Sequence, residues 1–104
     1  MAEVRWTLTA AEDLRLLEEW IARDSLLNAV EFTDRLVSSV DKLADLPLMG
    51  RVVPEFAQDR LREIIFRGYR IVYSAEGTAV IVLRVLHGAL DLRRLATRQP
   101  WSFE

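Results

Sequence analysis

The sequence predicts an α+β fold: a helical hairpin packed on an antiparallel sheet, in the order β-α-α-β-β-β. Three observations carry this. Residues 9–46 place apolar side chains at helical spacing, interrupted once at Asp24-Ser25. Residues 60–86 form runs rich in Ile, Val, Tyr and Leu, cut by Arg67-Gly68 and Glu76-Gly77. One short alternating segment precedes the helices, so strands and helices fall in separate blocks.

Each element follows from its residues. Val4-Arg5-Trp6-Thr7-Leu8 alternates and reads as an opening strand. Thr9-Ala10-Ala11-Glu12 fits a capping box, the Thr9 hydroxyl accepting from the amide three residues on and Glu12 reaching back. Leu14, Leu17 and Ile21 continue this helix to about Arg23. Asp24 and Ser25 are good caps for a second helix, whose buried stripe is Ala29, Phe32, Leu36, Val40 and Leu43. Leu46-Pro47 ends it, because a residue before proline is pushed out of the helical region. Residues 47–58 read as loop, with a brief strand at Val52-Val53. Three strands follow, Arg60–Phe66, Tyr69–Ala75 and Thr78–Leu86, closed by glycine turns into an antiparallel meander. Asp91–Thr97 is expected to add a short helix, and Trp101 and Phe103 in the tail need an apolar cover. The strands are apolar on both sides while the hairpin covers one. The other face therefore calls for a partner or for the chain's own C-terminal segment.

The composition bounds the function. A chain of 104 residues with 51% hydrophobic and 29% charged residues reads as one domain, residues 1–104. It has no cysteine, which excludes disulfides, thiolate metal sites and a cysteine nucleophile, and its single histidine excludes a multi-histidine metal site. No metal and no cofactor are expected. The net charge of −2 argues against a generic nucleic-acid coat. Ala79–Leu83 is the longest apolar run, too short to span a bilayer, and the first residues lack a signal-peptide hydrophobic region. The expectation is a cytoplasmic protein with no membrane contact. Thirteen of the 14 basic residues are arginine, which fits genomic base composition as well as bidentate pairing.

No strong catalytic motif is present. His87 closes the last strand; histidine suits general acid–base work, and it also serves as a structural hydrogen-bonding residue. Glu55 follows Pro54 in the loop and is a candidate base, or a solvated glutamate. Arg70 stands between Tyr69 and Ile71 in an apolar strand, where a charge needs a carboxylate, an exposed face or an anionic ligand. Arg62-Glu63 poses the same question one strand earlier, and cross-strand pairing is the structural answer.

Several stretches taken in order point to a family. These are Val4-Arg5-Trp6-Thr7 with Ala10–Leu14, the loop Leu46-Pro47-Leu48-Met49-Gly50-Arg51-Val52-Val53-Pro54-Glu55, Arg62-Glu63 ahead of Tyr69-Arg70-Ile71-Val72-Tyr73, and Val85-Leu86-His87-Gly88. In this order the chain resembles the RelE/ParE superfamily of toxins from type II toxin–antitoxin modules. The resemblance implies a toxin neutralised by a cognate antitoxin that folds onto exposed apolar surface along the hairpin or the sheet. The superfamily has two branches, one cleaving messenger RNA on the ribosome and one, ParE-like, poisoning DNA gyrase. Glu55, Arg70 and His87 fall where some nucleases place base, phosphate-stabilising arginine and acid, the set that in-line cleavage by a 2′-hydroxyl needs. Three features favour the other branch. The chain is acidic, Gly88 stands where that nuclease subgroup carries an aromatic residue, and the ending His87–Leu95 is closer to ParE-like members. The resemblance thus implies a gyrase inhibitor rather than an enzyme, with Arg70, His87, Arg93 and Arg94 contacting the target and no direct nucleic-acid binding. The alternatives it leaves are a ribosome-dependent endoribonuclease using Glu55, Arg70 and His87, and a non-toxic member kept for its partner. Ala89 stands where many relatives carry arginine, which would weaken a toxin whose arginine touches the target.

Overall fold

The computed structural model describes residues 1–89. The expected helix at Asp91–Thr97, the tail aromatics Trp101 and Phe103, and Arg93 and Arg94 lie outside them. Strand β1 (Glu3–Trp6) leads into helices α1 (Leu8–Ala22) and α2 (Leu26–Asp41), and a 3₁₀ turn (Lys42–Ala44) closes the hairpin. Strands β2 (Arg51–Val52), β3 (Leu61–Phe66), β4 (Tyr69–Glu76) and β5 (Ala79–His87) complete a five-stranded sheet in the order β1-β5-β4-β3-β2.

Two expectations are corrected. The sheet is mixed, because β1 runs parallel to β5, with Val4 beside Val80 and Trp6 beside Val82. A first strand separated from the meander by a whole hairpin is free to enter at the far edge, and a parallel neighbour needs such a long crossover. The cap of α1 is Thr7, not Thr9. Its hydroxyl accepts from the Ala10 amide at 3.0 Å, and Thr9 stands inside the helix. Thr7 wins because it is also tied to the sheet: its amide donates to Val82 C=O and its hydroxyl donates to Leu83 C=O.

The second helix follows the sequence closely. Ser25 caps it by accepting from the Asn28 amide, and Ala29, Phe32, Leu36, Val40 and Leu43 are all buried. Phe32, Leu36, Val40 and Leu43 meet Ile71, Tyr73, Val80, Val82 and Val85 in the main core between hairpin and sheet. The β3–β4 turn, Arg67-Gly68, has positive φ at both residues, the requirement of a type I′ hairpin that matches strand twist. The β4–β5 turn falls on Gly77-Thr78, one residue later than expected, with Gly77 at φ 58°.

A register shift at Val72/Tyr73 leaves Leu83 as an extra residue in β5, a β-bulge. The bulge is held by α1. Asp13 accepts two bonds from the Arg84 guanidinium, at 2.8 and 3.1 Å, and one from the Val85 amide at 3.0 Å. Thr7 supplies the donor for Leu83 C=O. The backbone groups freed by the bulge are thus paired, as buried ladder groups must be.

The sheet face away from the helices is not an exposed apolar plane. Leu61, Val72, Ile81, Leu83 and Leu86 are buried there in a second core with Val53, and Phe56 packs against them. Most of the exposed apolar side chains lie elsewhere: Leu16 and Trp20 on α1, Leu26, Leu27 and Val30 on α2, and Leu46, Leu48 and Met49 in the loop, whereas Ile65 of β3, the ladder partner of Arg70, is exposed on this face. Among the described residues no helix is long and apolar enough to cross a membrane.

Candidate functional site

The site grows from one consequence of strand alternation. Along β4, Ile71 and Tyr73 point to the hairpin, so Arg70, Val72 and Ser74 point to the opposite face. A guanidinium on that face enters a second core and requires counter-charges. Glu63 of β3, with a fully buried side chain, accepts from Arg70 Nε at 2.6 Å. Glu55, carried by the loop after β2, accepts from both Arg70 terminal nitrogens at 2.7 Å each. The pairing is bidentate and nearly closed to water, the geometry for which arginine is suited. Arg51 completes the cluster, donating from Nε to the second Glu63 oxygen at 2.7 Å. Two carboxylates and two guanidinium groups therefore balance. Hydrogen bonding to Glu55, and then to Glu63, holds the Arg70 guanidinium protonated well beyond its ordinary range, against the opposing effect of burial.

The loop that delivers Glu55 is itself fixed. Tyr73 donates to Pro47 C=O at 2.7 Å and accepts from the Gly50 amide at 3.0 Å. Burial pushes the Tyr73 phenol above its usual pKa; the Gly50 bond and the Arg62 charge partly oppose this. Arg62 donates to Leu48 C=O, Gly50 C=O and Asp59. Gly50 is there for room: a Cβ would stand 2.6 Å from Glu63 C=O and 2.7 Å from Tyr73 Oη. An open cleft of about 410 Å³ lies beside this clasp, lined by Lys42, Met49, Arg51, Glu63 and Ile65 among others.

His87 is elsewhere. It pairs across the ladder with Tyr69, and the two rings meet edge to face at 5.5 Å. Tyr69 in turn meets Phe32 of α2 edge to face, at 5.8 Å. His87 Nδ1 accepts from the Ala89 amide at 3.1 Å, and the side chain is exposed. Ladder partners share a face, so His87 and Tyr69 stand on the hairpin side of the sheet, while Arg70 and its partner Leu86 stand on the other. Glu55 and Arg70 are thus brought together, and His87 is held away from them. The sequence reading asked for a carboxylate partner to Arg70 and found the right strand for Glu63. It missed Asp13, whose role depends on a residue 71 positions away.

The comparisons decide the family. The model for the ParE toxin of type II toxin–antitoxin systems (parDE) matches residues 4–92. The chain belongs to the ParE toxin family. Toxin RelE2 of Caulobacter vibrioides (strain ATCC 19089 / CIP 103742 / CB 15) is 34% identical over 90 residues, covering 86% of this chain and 98% of that protein. A solved structure titled as the chromosomal ParDE TA system from P. aeruginosa superposes with a TM-score of 0.70 at 19% identity, over 84% of this chain and 96% of that one. That likeness extends to the fold. This ParE-family chain is a toxin component of a type II toxin–antitoxin pair, and such a toxin implies an antitoxin partner.

Proposed function

We propose that this ParE-family toxin acts in the cytoplasm by binding, with DNA gyrase as its target, and that a cognate antitoxin neutralises it. The observation that carries this reading is the separation of the would-be nuclease set. In-line cleavage needs base, phosphate cation and acid around one phosphate. Here Glu55 and Arg70 are spent on each other, and His87 lies on the opposite face of the sheet. The chain's net charge of −2 points the same way, since contact with ribosomal RNA favours basic proteins.

Target contact then rests on His87 and on Arg93 and Arg94, which follow it in the sequence. Arg70 takes part by holding the Glu55 loop against β4, because its Nε, Nη1 and Nη2 already donate to carboxylates. The test uses purified protein in two reactions, supercoiled DNA with gyrase and translating ribosomes with message. Accumulation of linear DNA with gyrase is expected. Message cut at the ribosome, abolished by Glu55→Gln and His87→Ala, would overturn the reading. In cells, both substitutions are expected to leave nuclease-type message profiles unchanged.

A further inference from the structure

The outer flank of α1 is a self-complementary strip. Leu16 and Trp20 stand one turn apart on the same face and are 51% and 62% exposed. Glu12 lies one turn before Leu16, and Arg23 lies just beyond Trp20; both are exposed. Arg15 pairs with both Glu12 and Glu19, so two carboxylates share one guanidinium. Arg23 stacks over its own Trp20 ring at 5.0 Å and makes no ion pair among the described residues. The strip thus runs from acidic through apolar to basic.

We propose that this strip docks on its own copy in a second molecule of the same chain, α1 against α1, antiparallel about a two-fold axis near residue 18. That axis sets Leu16 of each molecule against Trp20 of the other. It also brings Glu12 opposite Arg23 of the second copy, within one residue of exact opposition, an offset of about 1.5 Å along the helix that an arginine side chain spans. A parallel arrangement would instead set Glu12 against Glu12 and Arg23 against Arg23. The order of charges therefore selects the antiparallel pair. Such a contact uses one patch on both molecules and closes at the dimer. A single helix pair is small beside the ~800 Å² per partner typical of stable interfaces, so the dimer is weak and reversible.

Sedimentation velocity on the purified chain, from about 1 to about 500 µM at low salt, tests this. Monomer–dimer exchange is expected, and added salt should weaken it. Trp20→Glu should weaken the dimer by about tenfold or more, since it places a charge in both halves of the apolar centre. Glu12→Arg and Arg23→Glu should each weaken it by roughly three- to tenfold, because symmetry applies each loss twice, and the two reversals together should restore it. All these positions are exposed, so circular dichroism and melting curves should stay close to wild type. A dimer indifferent to Trp20→Glu, or a double reversal that fails to restore pairing, would overturn the arrangement. So would a chain still monomeric at about 500 µM whose Trp20→Glu variant loses antitoxin affinity, which would assign the strip to the antitoxin.

Discussion

Glu63→Ala removes the carboxylate on which two guanidinium groups converge. Its side chain is fully buried, and it accepts at 2.6 Å from Arg70 and 2.7 Å from Arg51. Breaking one side of a buried ion pair costs about 3–5 kcal/mol, mainly because the surviving charge stays buried. Two features place this case at the low end. Arg70 keeps its bidentate contact with Glu55, and the Arg51 side chain, 61% exposed, can turn to water. The expected loss is therefore about 3 kcal/mol, a fall in melting temperature of roughly 12–24 °C for a domain of this size. Urea denaturation followed by tryptophan fluorescence reads it directly. Arg51→Ala is the comparison and should cost less, about 1–2 kcal/mol, because Glu63 keeps Arg70 while its second, buried oxygen loses a donor. A double-mutant cycle of Glu63→Ala with Arg70→Ala should give a coupling of about 1–3 kcal/mol. If Glu63→Ala melts within about 0.5 kcal/mol of wild type, or the coupling vanishes, the cluster is not what secures the Glu55 loop, and the account of Arg70 given above fails.

Four further outcomes test the neighbouring contacts. Tyr73→Phe should cost about 1–3 kcal/mol, since it strands the Gly50 amide and Pro47 carbonyl. The same phenol has a pKa raised by folding, so its proton is held more tightly in the folded state. Its contribution is complete below the unfolded value of about 10 and is lost as pH climbs through the folded value, so wild-type melting temperature should drop there more steeply than that of Tyr73→Phe. Gly50→Ala should destabilise by about 1–3 kcal/mol in urea melts, because its Cβ would meet the Glu63 carbonyl and the Tyr73 hydroxyl. Asp13→Ala should cost about 2–3 kcal/mol and speed hydrogen exchange at the Val85 amide, which it leaves without its acceptor.

Much of the architecture was legible because its signals are short-range. The stripe Ala29, Phe32, Leu36, Val40 and Leu43 is buried as its spacing predicts, and Ser25 caps its helix. The turns at Arg67-Gly68 and around Gly77 announced the meander. The same logic misjudged Thr9, where a local capping pattern lost to Thr7, which also answers a carbonyl of the distant bulge. Of the candidate site, Arg70 declared itself as a charge in an apolar strand that would need carboxylates. Cross-strand pairing pointed to Glu63, but nothing near Arg70 in the sequence said that Glu55 would join it. The cover that the sheet face away from the hairpin calls for is supplied in part by a nearby segment. Val53, from the brief strand expected at Val52-Val53, and Phe56, from the loop after it, fold onto that face and join the second core there.

By itself the sequence determined the helical hairpin and the three-strand meander, because periodicity, caps and glycine turns act between residues a few positions apart; its resemblance to a toxin superfamily rests instead on several short stretches kept in order along the chain. Only the tertiary structure decided that β1 enters parallel beside β5, that Asp13 secures the bulge at Arg84, and that His87 and Arg70 stand on opposite faces of the sheet. Those outcomes depend on register. One inserted residue in β5 shifts the alternation of everything after it, and the groups that it leaves unpaired must be met by residues brought from the other end of the chain.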